Sequence, residues 1–115
     1  LDQSEPYLMT LSWETLALAM DGETETASFK ALELDSLLAS VDPERIDAMA
    51  VHWKLSQIFS LLGSKTKAID YLNRAHDELL VRANELINEE DRQLILTSLR
   101  ENREIMAAWE ALQKE

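Results

Sequence analysis

Two glycines punctuate the chain, Gly22 and Gly63, and they stand 41 residues apart. Ala27 and Ala68 repeat that offset, and Trp13 and Trp53 stand 40 apart, one residue short of it. A period near 40 residues with helical content describes a helix–turn–helix unit. One such unit cannot bury its apolar face alone, so neighbouring units must stack. With only two glycines and two prolines in 115 residues, a β domain would lack the residues its reversals need. Leu, Ala and Glu, all good helix formers, dominate instead. The fold class that follows is all-α: antiparallel helical hairpins stacked as a short solenoid, in one domain, since a chain of this length supports one core rather than two.

The helix boundaries are legible as punctuation. Ser4-Glu5-Pro6 caps an apolar run from Tyr7 to Met20, which Asp21-Gly22 ends. Glu23 to Thr26 opens a second helix with one stripe of Ala27, Ala31, Leu34, Leu37 and Leu38. Asp42-Pro43-Glu44 is a strong start signal for a third, whose Val51, Leu55, Ile58, Phe59 and Leu62 share one side. Gly63-Ser64 stops it and caps a fourth, expected from about Lys65 toward Asn88 and about 35 Å long. Its stripe is Ala68, Leu72, Ala75, Leu79, Ala83 and Leu86. A break from Asn88 to Asp91 leads into a short helical turn through Leu96. Ser98-Leu99-Arg100-Glu101 then reads as a capping box opening a last helix with Leu99, Ile105, Trp109 and Leu112 inward. The expected division is hairpin one over about 5–40, hairpin two over about 43–88, and a turn and closing helix over about 90–113. The first residue is Leu rather than Met, so the chain is expected to be a fragment or a processed form.

The second unit resembles a tetratricopeptide repeat. That pattern sets an aromatic, a Leu followed by a small residue, a second aromatic, Gly, Ala, a bulky apolar and another Ala. Here they fall on His52 or Trp53, Leu55-Ser56, Phe59, Gly63, Ala68, Leu72 and Ala75. Small residues at Ser56 and Ala68 let two helices approach while Phe59 and Leu72 fill the space beside them. The first unit matches at Leu18, Gly22, Ala27, Ala31 and Leu34, but Glu14-Thr15 replaces the Leu-small pair. The stretch around Asn102-Arg103-Glu104-Ile105 is similar to the tail of the repeat region in large bacterial signalling proteins, which join an ATPase module to a cyclase, kinase or transcription-activator domain. There Leu99-Arg100 stands where that family has Val-Pro. The resemblance implies a right-handed stack closed by a capping helix, and a non-catalytic scaffold in the cytoplasm that binds protein.

Charge narrows the partners. The net charge is −11, and residues 1–48 hold 11 acidic and 2 basic side chains. Such a surface repels phosphate backbones and anionic lipid, so neither nucleic acid nor membrane is expected. An acidic surface aids solubility or steers a basic protein or peptide, and the sequence leaves both open. No apolar run approaches the roughly 20 residues that cross a bilayer. The absence of cysteine excludes a thiol nucleophile, a disulfide framework and a cysteine zinc site, and is compatible with a reducing cytoplasm.

Catalytic constellations are missing as well. Two glycines cannot build a phosphate loop, and no nucleophile elbow occurs. The histidines, His52 and His76, lack metal-site spacing, and His76-Asp77-Glu78-Leu79 lacks the Lys-Gly of a phosphotransfer histidine. Glu89-Glu90-Asp91 lacks calcium-loop spacing. No enzyme activity, cofactor or metal is therefore expected. The repeat register instead points Trp53, Gln57 and Ser60 toward a concave groove, with Met9, Trp13 and Leu16 as their counterparts in the first unit. A tryptophan there anchors a peptide or packs between hairpins. A second role is self-association as a twofold dimer that covers the ends of the stack; a third is phosphotransfer through His76.

Overall fold

The computed structural model describes residues 4–41, 47–86 and 88–115. In these the backbone forms six helices and no strand: α1 (Ser4–Met20), α2 (Thr24–Ser40), α3 (Ala48–Leu61), α4 (Lys65–Asn84), α5 (Glu89–Ser98) and α6 (Arg100–Gln113). None is long and apolar enough to cross a membrane.

The two glycines make the same turn twice. Gly22 has φ +81° and Gly63 φ +82°, in the left-handed region that side chains with a Cβ avoid. The hydrogen bonds match too. The amide of Glu23 donates to the Leu18 carbonyl at 2.9 Å, and that of Ser64 to Phe59 at 2.8 Å. Gly22 donates to Ala19 and Gly63 to Ser60, both at 3.2 Å. This pattern satisfies carbonyls left open at a helix end and reverses the chain. Two antiparallel pairs result. In the first, Lys30 meets Glu14 and Tyr7 meets Glu33; in the second, the Ser56 hydroxyl donates to the Ala68 carbonyl at 2.8 Å and Phe59 stacks on Tyr71.

α3 is the beam of the structure. Its Val51, Leu55, Ile58 and Phe59 enter a core shared with Leu8, Leu11 and Leu16 of α1, Ala31 and Leu34 of α2, and Ala68 and Tyr71 of α4. Met49 and Trp53 enter a second core with Leu72, Ala75 and Leu79 of α4 and Ile105 of α6. Each fully buried Leu or Ile here contributes about 1.5–3 kcal/mol relative to an exposed one. One comparison by register is telling. The stripe Val51, Leu55, Ile58 corresponds, 41 residues earlier, to Thr10, Glu14 and Ala17, all exposed on α1. At these three register positions the chain is apolar where a helix packs and polar or small where none does.

The C-terminal third departs from expectation. α4 stops at Asn84, so it spans 20 residues rather than reaching Asn88, and Leu86 lies beyond it, half-buried. The stretch expected as a short turn is the ten-residue helix α5, capped by the Asn88 side chain on the Glu90 amide. Glu89, Glu90 and Asp91 fill its first turn, where acids suit the helix dipole. No capping box forms at Ser98. That residue ends α5, Leu99 is the N-cap of α6 with an extended backbone, and the Leu99 side chain is exposed rather than inward. The joint is held another way: buried Asn102 donates to the Ile95 carbonyl at 2.8 Å. Asn102 and Ile105 are the two buried residues of α6, so that pair in the Asn-Arg-Glu-Ile motif packs the end of the chain. Ser64 sits at the N-cap of α4 without a side-chain cap bond. The start signal Asp42-Pro43-Glu44 lies outside the described residues; Asp47 caps α3 by accepting from the Ala50 amide.

Candidate interaction groove

An open cavity of about 700 Å³ runs along the C-terminal half of α3. Leu16 and Met20 of α1 form one wall. Trp53, Gln57, Ser60 and Leu61 of α3, with Ile69 and Leu72 of α4, form the floor. Ala108, Ala111 and Leu112 of α6 form the other wall, and Lys65 faces Glu115 across the end at 3.5 Å. The small side chains of Ala108 and Ala111 keep the α6 wall low. Apart from that terminal ion pair, Gln57 and the serines, the surface is aliphatic and aromatic.

Four of the six residues expected in a groove, Leu16, Trp53, Gln57 and Ser60, line this cavity together. Met9 and Trp13 do not. Met9 packs half-buried against the first core. Trp13 is 59% exposed and its ring lies 3.9 Å from the buried Lys54 ammonium, a cation–π contact outside the cavity. Trp53 is 8% exposed and packed in the second core, and it also lines the cavity. The one-residue slip explains why the tryptophans differ. Counted by 41, Trp53 pairs with Ser12 and Trp13 with Lys54. One residue is about 100° of helix rotation, enough to move an inward ring outward.

Sequence reasoning missed Met20 and Leu61. They are 41 apart, as are Leu16 and Gln57, so α1 and α3 offer the same register positions to the cavity. That offset was the signal available. The stripe of α6 was also missed as a wall, because it was read as closing the core alone.

The polar contacts lie mostly elsewhere and tie helices together. Asp35 of α2 accepts from Tyr71 and, at 3.0 Å, from Lys67 of α4. Burial pushes the Asp35 carboxyl up, but these two hydrogen bonds outweigh it and hold the group below its ordinary value. Burial, then the Asp35 partner, push the Tyr71 hydroxyl well above its ordinary range. His52 bonds Glu78 between α3 and α4. In the first turn of α6, burial raises the Glu101 carboxyl and nearby Lys54 partly offsets it. His76 is buried, with one face of its ring flat on Trp109, centroids 4.0 Å apart. Among the described residues no three His, Asp or Glu side chains converge on a metal-sized site.

No family model, curated protein or solved structure matches the chain.

Proposed function

We propose that the chain is a non-catalytic protein-interaction module of the tetratricopeptide type, a short right-handed stack of two hairpins closed by α6, serving as the C-terminal scaffold part of a larger bacterial signalling protein in the cytoplasm. The groove along α3 takes an apolar segment of a partner polypeptide. The observation that carries this reading is the pairing of Leu16 with Gln57 and of Met20 with Leu61: two successive units present equivalent positions to one apolar channel, as stacked repeats do when they build a shared binding face. About 700 Å³ is room for several apolar side chains and falls within the range of ligand clefts.

The test uses exposed positions, because replacing buried Trp53 would disturb the core. Peptides selected from a random display library on the wild-type chain are expected to bind a Met20→Glu, Leu61→Glu variant at least tenfold more weakly, since two charges enter the apolar channel. Circular dichroism checks that the variant keeps its helices. Selected peptides that bind wild type and variant alike would remove the groove from the account.

A further inference from the structure

The structure carries a second apolar surface that the groove does not use. On α2, Phe29 is 77% exposed, more than any other large apolar side chain among the described residues, and Leu32 is 59% exposed. At a spacing of three they lie on one helix face, with exposed Glu25 and Ser36 on the same arc. Register shows that this face is particular to the first hairpin. Counted by 41, Phe29 corresponds to Asp70, Leu32 to Asn73 and Ser36 to Asp77 on α4, all exposed. The second hairpin is polar there, as a solvated face should be. The edge on which a further helical unit would stack is Thr10, Glu14 and Ala17 of α1, which is polar or small. Phe29 and Leu32 therefore do not mark a missing repeat.

The surroundings define what fits. Glu14, Asp21, Glu23, Glu25 and Glu33 belong to the first hairpin, whose one cation among the described residues is Lys30; Asp35, also on α2, is turned instead to Lys67 and Tyr71 of α4. Lys30 is held by Glu14 at 2.8 Å. Tyr7, half-exposed, donates to Glu33 at 3.1 Å and borders the Phe29 face from α1. A second copy of the chain brings the same acidic field and a net charge of −11, so the face repels its own kind. Anionic lipid and nucleic acid are repelled for the same reason.

We propose that the outer face of α2 docks a basic amphipathic helix of a partner protein, with Phe29 and Leu32 against its apolar side and Glu25 and Glu33 facing its Lys and Arg residues. Charge sets approach and orientation, and the apolar pair supplies the short-range contact. This inference stands apart from the groove and survives the loss of it.

The experiment uses the full chain and two synthetic helical peptides of about 18 residues with the same leucine face. One carries Lys on its polar side, the other Glu. Fluorescence anisotropy is expected to show binding of the Lys peptide alone, weakening with salt. A Phe29→Ser, Leu32→Ser variant should bind it at least about tenfold more weakly, and Glu25→Lys, Glu33→Lys should weaken it comparably. The Met20→Glu, Leu61→Glu variant should bind as wild type does. Three results would each overturn the proposal: no binding of the Lys peptide, equal binding by the Ser variant (which leaves charge alone at work), or a wild-type dimer in sedimentation that the Ser variant abolishes.

Discussion

The α1–α2 and α3–α4 hairpins turn alike and pack differently. Their glycine dihedrals agree within a degree and their turn hydrogen bonds within about 0.1 Å. Yet α3 buries ten residues where α2 buries three. A turn is decided locally, by one residue free to adopt a left-handed backbone. Burial is decided by neighbours: α3 packs on α1 and α4 and shares the second core with Ile105 of α6, while the outer sides of α1 and α2 are uncovered. The small residue before the turn shows the same split. Ser56 bonds across to Ala68 of the partner helix, whereas Thr15, its counterpart by register, bonds back to the Leu11 carbonyl of its own helix.

The comparison can be broken most sharply at one register position. Ile58→Ala removes a fully buried side chain from the first core and should cost about 3 kcal/mol in urea denaturation. Ala17→Ile, the reverse change 41 residues earlier on the open side of α1, should stay within about 0.5 kcal/mol. Similar costs at both sites would mean that α1 is covered as α3 is. The turns predict equality instead. Gly22→Ala and Gly63→Ala each force a Cβ into the left-handed region, where nothing crowds it within 4 Å, so backbone strain alone acts. Each should cost about 1–2 kcal/mol, and the two values should agree. A clear difference would show that the hairpins diverge at the turn as well.

The smallest effect concerns acid. The Asp35 carboxyl is lower in the folded chain than its ordinary value of 3.8, so its contacts stabilise fully above that value. That contribution is lost as pH falls through the folded value. Glu101 runs the other way: its raised carboxyl favours the folded state at low pH and withdraws that support as pH rises past the ordinary value of 4.5. Asp35→Asn, which removes the tie from α2 to Tyr71 and Lys67, should flatten the acid limb of the stability curve. Glu101→Gln should leave that limb and flatten the opposing slope instead. Thermal melts at several pH values between 2 and 6 read both.

Much of the fold was legible because helix punctuation is chemical. Gly22, Gly63 and the stripe Ala68–Leu72–Ala75–Leu79–Ala83 report their own geometry. Four groove residues were legible through the same period. The rest depended on tertiary neighbours that a local pattern does not contain. Trp13 and Trp53 look equivalent in sequence, and only the helix rotation produced by a one-residue slip separates them. Ser98-Leu99-Arg100-Glu101 has the composition of a capping box, but Asn102 reaching Ile95 fixes that joint from the other side, and Leu99 becomes the cap. Phe29 stands out only through its exposure and through the register that sets it beside Asp70.

The polar edge of α1 has a consequence for assembly. If Thr10, Glu14 and Ala17 repeated the Val51, Leu55, Ile58 stripe, every copy would offer the next one the seat that α1 occupies on α3. Contacts of that head-to-tail kind do not close on themselves, and copies would add without limit into fibres. The three polar or small side chains on this edge of α1 thus withhold the apolar seat on which such growth would depend.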